Sequence, residues 1–349
     1  MSVLMRDVAR KSGVSITTVS HVLNETRPVA EKTRARVLRI AAELNYYKNT
    51  SARLLVRGKS DLLGLIISDV ENPFFPELIK SFENACAAER MEVLLCATNY
   101  DRTNAEKALR RMLESRVQGV AVMTSQFDDT LAAQLTGKNV PLVLLGSGTP
   151  RAKRSTIAID YSQGISDAVR HLFELGHRAI AVAAGPQHQI SAIEHKDAVL
   201  RAMKECGLQP FRILEGDHRP ESGAWAAKQL LNASERPTAI FCGNDRMAIG
   251  AMSAAFAMGF RVPNDLSVVG SDDVWIARYC YPALTTVRIP RDTLGQLAFD
   301  VLLKMVRSKR KSGTEHVLAT QLVQRRSTGP VQSRSMQAQQ SVVMESYAR

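Results

Sequence analysis

Three side chains near the start of the chain, Ile16, Thr17 and His21, have the sizes and chemistries that meet base edges. An isoleucine can cover a thymine methyl, a hydroxyl can bond either kind of edge, and an imidazole can donate or accept in the major groove. Thr18 and Ser20 beside them carry hydroxyls suited to phosphate oxygens. The spacing places the three readers on the outer face of one short helix, near its N-terminal end.

The run from Val8 to Ser20 supplies the elements that hold them. It reads as a short amphipathic helix, a turn at Gly13, where φ must be free, and a second helix opening at Ser15. The Ser15 hydroxyl can satisfy a backbone N–H at the helix start. Val8, Ala9, Val14, Val19 and Val22 fall where two crossing helices would bury them. A third helix, about Glu31 to Leu44, brings Val37, Leu38, Ile40 and Ala41 to close a small core. This is a helix-turn-helix, whose second helix can lie in the major groove of DNA.

Charge agrees with that reading. Residues 1–60 hold 12 Lys and Arg against 4 Asp and Glu, and residues 304–349 hold 9 against 2. The whole chain carries +12, so the middle is slightly acidic. A basic head on a near-neutral body is the footprint of a phosphate-binding module joined to something else.

A second set of polar and aromatic residues lies further on, at the ends of apolar runs. Expected strands are Leu62–Ser68, Val93–Thr98, Val120–Thr124, Leu142–Leu145, Ile157–Asp160, Ile180–Ala183, Ile240–Cys242, Leu266–Gly270 and Thr286–Ile289. Amphipathic helical stretches lie between most of them: Pro76–Glu89, Thr103–Ser115, Gln163–Leu175, Ile193–Cys206, Ser222–Leu231, Arg246–Met258 and Arg291–Val306. Continuous apolar strands alternating with helices argue an α/β class with parallel sheets covered on both faces, and so many strands suggest two sheets. Ligands of open α/β folds bind at the carboxyl ends of strands. Those ends gather Asn72, Phe74, Phe75, Ser125, Ser147, Asp160, Gln189, Ser191, His195, His218, Asn244, Asp245 and Asp272 toward one cleft. Helix capping explains Asn244, Asp245 and Asp272 equally well one by one. His188, His195 and His218 invite a zinc reading, but their spacing is no ligand signature, so neither metal nor cofactor is expected. His195 stands beside Glu194 and Asp197. It could titrate near neutral pH, or sit on a solvated helix face.

Several classes find no support. The start of the chain has no signal-peptide core, and no 18-residue apolar run exists to span a membrane. The five cysteines form no C-x-x-C and sit in apolar contexts, as thiols do in a reducing cytoplasm. No nucleophile elbow, Walker loop or H-E-x-x-H occurs. A transport solute-binding protein would lack the basic head, and an enzyme would need a nucleophile with its base, which is not discernible. DNA retention that falls steeply with salt and is lost without residues 1–60 separates these from a DNA-reading regulator.

The sequence resembles the LacI/GalR, or lactose-repressor, family of bacterial transcription regulators. Asp7-Val8-Ala9, Gly13-Val14-Ser15, Thr18-Val19-Ser20, Val22-Leu23-Asn24, Val29, Thr33, Arg36-Val37 and Leu44-Asn45-Tyr46 carry the resemblance. It extends to about Arg326. It implies a dimeric cytoplasmic repressor on palindromic operator DNA, with Ile16, Thr17 and His21 as specificity positions. Asn24 joins Thr18 and Ser20 in positioning the DNA backbone. The expected organisation is a DNA-binding domain over 1–47, a hinge over 48–60, and an effector-binding and dimerisation domain over 61–330. A disordered tail is expected over 331–349, rich in Gln and Ser. The large domain should have the periplasmic-binding-protein fold, crossing between subdomains near 161, 290 and 320, with the Phe74–Met91 region in the pairing surface.

For the hinge the resemblance adds a minor-groove wedge at Leu55, flanked by Ala52 and Arg53. Composition alone leaves open that the Leu54-Leu55 pair packs on the next domain. Lys48 and Leu54 depart from the family's usual Pro and small residue. For the cleft it implies a sugar or related polar metabolite as effector, with no membrane partner. His195 stands where the family commonly has an arginine that grips ligand hydroxyls. Lys196, Asp197 and Val199 also depart, and Tyr161 replaces a frequent Asn. Ser147 and His218 sit where some members place stacking aromatics. These departures lead to the expectation that a common hexose does not bind in the usual pose: either the effector is unusual, or there is none.

Overall fold

The structure is a computed structural model that describes residues 3–46, 60–125, 127–146, 148–308 and 312–332. The chain divides into two compact units, Met1–Ser60 and Asp61–Arg349.

In the first unit, α1 (Met5–Ser12), α2 (Ile16–Asn24) and α3 (Glu31–Glu43) bury Val8, Ala9, Val19, Val22, Val37, Ile40 and Ala41 together. Gly13 takes φ 64, the left-handed conformation that closes α1 and frees the chain to turn. The Ser15 side chain caps α2, its Oγ accepting from the Thr18 N–H at 3.0 Å. Leu38 departs from expectation: it is 43 % exposed, because Val37, Ile40 and Ala41 already form the inward stripe of α3 and Leu38 lies one step round the helix.

The second unit holds two six-stranded sheets. The first contains β1 (Leu62–Ile67), β2 (Glu92–Ala97), β3 (Val120–Met123), β4 (Leu142–Leu145), β5 (Arg154–Asp160) and β11 (Glu315–Ala319), in the order β11-β5-β4-β3-β1-β2, all parallel. The second contains β6 (Ile180–Ala184), β7 (Ile213–Glu215), β8 (Ala239–Cys242), β9 (Ser267–Asp272), β10 (Thr285–Arg288) and β12 (Gln321–Val323), in the order β12-β10-β9-β8-β6-β7. Among the described residues the β10–β12 pair is antiparallel and the other pairs there are parallel.

Helices cover both faces of each sheet. α4 (Phe75–Ala88) and α11 (Arg291–Arg307) pack on one face of the first, and α5 (Arg102–Glu114) and α6 (Asp129–Gly137) on the other. The second sheet is flanked by α9 (Pro220–Leu231) and α10 (Asp245–Ala257) on one face and by α7 (Ser162–Glu174) and α8 (Ile190–Glu205) on the other. The chain passes between the sheets after β5, after β10 and between β11 and β12.

Four elements have no counterpart in the expected list. β7 and β12 are three residues each, α6 is short, and β11 alternates exposed and half-buried positions at a sheet edge. None offers the long apolar run that marks a covered strand.

Candidate functional site

The outer face of α2 carries Ile16, 53 % exposed, the exposed Thr17 and the half-buried His21. Neighbouring side chains fix their surroundings. His21 Nδ1 lies 2.8 Å from Thr26 Oγ1, which orients the ring. Thr18 Oγ1 lies 2.9 Å from Ser15 Oγ, so the Thr18 hydroxyl takes part in the cap. The Asn24 amide donates to Ser20 Oγ at 3.2 Å. Ala52, Arg53 and Leu55 lie outside the described residues.

In the second unit, both sheets contribute to a cavity of about 600 Å³ at the carboxyl ends of their strands. Of the expected residues, Asn72, Phe74, Phe75, Ser125, Gln189, Ser191, His195, His218, Asn244 and Asp272 line it. Ser147 lies outside the described residues.

Asp160 and Asp245 are corrections, since neither forms part of the wall. Asp160 is exposed and accepts from the Ser162 N–H at 2.9 Å, a local turn that starts α7. Asp245 is fully buried and accepts from the Val274 N–H at 2.8 Å and from Thr286 Oγ1 at 2.5 Å. Burial, more than any neighbour, pushes its carboxyl up to about 7. It binds the start of α10 to β10 rather than facing a ligand.

The first sheet gives the cavity an aromatic wall. Asn72 Oδ1 accepts from the Phe74 N–H at 3.0 Å, and its amide donates to Tyr100 Oη at 3.3 Å. That turn starts α4 at Phe75 and sets Phe74 and Phe75 edge-to-face at 5.1 Å. Burial raises the Tyr100 phenol above its ordinary range, so it enters as a neutral hydroxyl.

The second sheet gives a polar wall whose imidazoles are uncharged. His195 is 5 % exposed, its Nε2 2.7 Å from Ser271 Oγ and its ring edge-on to Tyr161 at 5.4 Å. Burial, with a smaller push from His218, holds its pKa at about 3. It therefore neither titrates near neutrality nor lies on a solvated face. Helix α8 begins at Ile190, earlier than its sequence suggests, and His195 lies on its buried stripe with Ala192, Val199 and Ala202. His218 adopts φ 67, and burial holds its pKa at about 4. Its ring rests on Gly185, where a Cβ would come within 2.1 Å of Nε2, so only glycine fits there. Asn244 caps α10 through the Met247 N–H at 2.9 Å and donates to the His218 carbonyl at 3.2 Å.

Asp272 ends β9 with φ 110, a costly conformation for a residue with a side chain. Burial raises its carboxyl, the buried Asp245 adds to that, and Arg291 opposes it. Arg291, at the second pass between sheets, holds this turn. Its guanidinium donates to the Asp272 carbonyl, to the Asp273 carbonyl at 2.7 Å and to Glu77 at 3.0 Å through Nε. Arg246 and Asp69 form a second tie between the halves at 3.6 Å.

Sequence reasoning missed Phe127, Asp128, Asp129, Arg151, Arg154 and Glu194, which also line the cavity. Asp128 is the N-cap of α6, accepting from the Leu131 N–H at 3.0 Å. Recognising that cap would have placed a helix start, and with it the two carboxylates, at the end of β3.

Comparison with known proteins follows the same division. A model of bacterial regulatory proteins of the lacI family matches residues 4–49, and a periplasmic binding protein-like domain matches residues 169–328. The HTH-type transcriptional repressor PurR of Proteus mirabilis (strain HI4320) is 40 % identical over 93 % of this chain and 96 % of its own. A Lac repressor dimer bound to operator and the anti-inducer ONPF superposes with a TM-score of 0.83 at 31 % identity, covering 94 % of this chain and 100 % of that one. The transcriptional regulator CelR in complex with cellobiose gives 0.70 at 28 % identity, covering 93 % and 99 %.

Proposed function

This chain belongs to the lacI family of bacterial regulatory proteins, and from that premise we propose how it works as a DNA-binding transcriptional repressor. Two copies pair and set two α2 helices into successive major-groove half-sites of a palindromic operator. One such helix makes few base contacts, so pairing is what brings useful affinity. The similar Lac repressor was solved as a dimer on operator, which supports this arrangement. Ile16, Thr17 and His21 read bases, while Thr18, Ser20 and Asn24 fix the register on the phosphates. Leu55, with Ala52 and Arg53, enters the minor groove as a wedge. The repressor works in the cytoplasm, and its association with the nucleoid is part of the proposal. Among the described residues no helix is long and apolar enough to cross a membrane.

The pairing surface lies on the second unit. Exposed groups of α4, Lys80 and Asn84 among them, form one part, and the exposed Trp275 and Tyr279, 6.3 Å apart, another. The cavity takes a small polar ligand, a sugar or a related metabolite, and cellobiose in the similar CelR supports that class. Asn72, Ser125, Gln189, Ser191, Asn244 and Asp272 hydrogen-bond it between Phe74 and Phe75 on one side and His195 and His218 on the other. Neutral His195 offers no guanidinium fork, so ribose, glucose and galactose bind weakly, and tight binding of any of them in calorimetry would contradict this.

The observation that carries the reading is the exposure of Ile16 and Thr17 on a side-chain-capped helix. Fluorescence anisotropy on a selected palindromic site tests it. Affinity should fall steeply with salt and vanish without residues 1–60. Binding that survives this deletion would refute it.

A further inference from the structure

The missed residues at the first-sheet end of the cavity form a charge arrangement that the proposed function does not use. Arg151 and Arg154 face each other across a tight turn, each backbone N–H bonding the other's carbonyl at 3.0 Å. Like charges directly opposite one another across such a pair are destabilising. Both residues nevertheless line the cavity, and their guanidinium groups share a single carboxylate, Asp129, with Arg151 at 3.3 Å and Arg154 in closer contact. The other nearby carboxylate, Asp128, is bound by Arg102. Both aspartates are held below the usual carboxylate range, chiefly by these arginines, so both are ionised. At Asp129 two guanidinium groups meet one carboxylate, while Arg102 is shared between Asp128 and Glu106.

Arg154 is also built in rather than draped on the surface. Its side chain is 12 % exposed, against 63 % for Arg151 and 59 % for Asp129. Gly148 makes room for it, since a Cβ there would lie 3.3 Å from Nη2. Its Nε is buried and has no acceptor among the described residues. A buried guanidinium with incomplete partners is costly to keep. The opposite wall offers no cationic side chain among the described residues: His195 and His218 are uncharged, and Glu194 and Asp272 are carboxyl groups.

We propose that Arg154 and Arg151 form an oxyanion subsite, so that the effector carries a phosphate or carboxylate group beside its uncharged polar groups. The anion shares the two guanidinium groups with Asp129, and the bidentate geometry of arginine suits both kinds of oxyanion. This rests on the reading of the cavity as an effector site.

The full-length protein is melted with increasing inorganic phosphate, and separately acetate, against chloride at equal ionic strength. A ligand that binds the folded state raises the melting temperature. At least one of the two anions should do so saturably, and which one acts separates a phosphate from a carboxylate effector. Arg154→Gln, and Arg151→Gln in a more exposed position where folding is not at risk, should each raise the half-saturating concentration roughly tenfold, the loss of one charge-assisted hydrogen bond. Neither anion acting on the wild type, or an undiminished effect in both variants, overturns the subsite. Operator anisotropy with and without the active anion, again at constant ionic strength, tests the effector reading separately. Unchanged operator affinity with the subsite intact would remove the gating role and leave the anion site standing.

Discussion

The reading face of α2 and the wall of the cavity use similar residue types under opposite conditions. Ile16 is 53 % exposed and Thr17 is exposed, so their chemistry is directed outward. Asn72, Gln189, His195 and Asn244 are under a tenth exposed. Asn72 and Asn244 each use their amide twice inside the protein. The two histidines make the contrast sharpest. His21 needs one neighbour, Thr26, to set its ring, whereas His195 is sealed between Ser271, Tyr161 and Phe241 and is held neutral. A polar group in water can be given wholly to a partner, but a buried one must first be satisfied by the fold.

The largest effect that tests this contrast belongs to Arg291. It is 4 % exposed and ties the Asp272–Asp273 turn to α4. Arg291→Ala should destabilise the second unit by about 3 kcal/mol, the cost of stranding buried carbonyls and one ion-pair partner. Urea unfolding followed through its tryptophans measures this, since both Trp225 and Trp275 lie there. A loss below about 1 kcal/mol would show that the turn holds itself.

Acid gives the next effect, and again the buried groups produce it. His177 is 2 % exposed, and burial holds its pKa at about 4, below the ordinary 6.5. The unfolded chain therefore binds a proton that the folded chain refuses. Stability from this group is complete above 6.5 and is lost as pH falls toward about 4, on the order of 3 kcal/mol in all. Asp245, raised to about 7, works the other way, its contribution fading as pH rises through that value. His177→Asn should flatten the decline of stability between pH 6.5 and 4 relative to wild type. Parallel curves for the two proteins would refute the assignment.

How much of each region could be read in advance follows from the same contrast. The helix-turn-helix was legible because its signals are local: Gly13 for the turn, Ser15 for the cap, and valines at helical spacing. The two-sheet architecture was legible because β1, β3, β4, β6 and β8 are continuous apolar runs. The cavity was legible as a set of strand ends but not residue by residue. Asp245 looked like a ligand group because no sequence signal shows that Thr286 and Val274 would enclose it. Arg154 was not among the expected residues because its partner Asp129 is distant in sequence, and β11, which covers that edge, lacks an apolar pattern.

On the exposed side, His21→Ala and Thr17→Ala should change base preference rather than stability. Each should relax discrimination by about 1–3 kcal/mol at one operator position while affinity for unrelated DNA stays the same. Selection of binding sites from a randomised half-site by each variant measures this. The preference of wild type retained in both variants would move the readers elsewhere on α2.

The smallest effect separates reading from attraction. Arg10 is 83 % exposed at its side chain and pairs with Asp7 on the same helix at 3.3 Å. An exposed pair of this kind contributes under about 1 kcal/mol to folding, so Arg10→Ala should leave the melting temperature nearly unchanged. It lies outside α2, and its charge meets phosphates alike on every sequence. The substitution should therefore weaken operator and unrelated DNA by the same factor and reduce the slope of log affinity against log salt by about one. Anisotropy titrations at several salt concentrations distinguish the cases. A loss confined to the operator would make Arg10 a reader, and an unchanged slope would remove it from the interface.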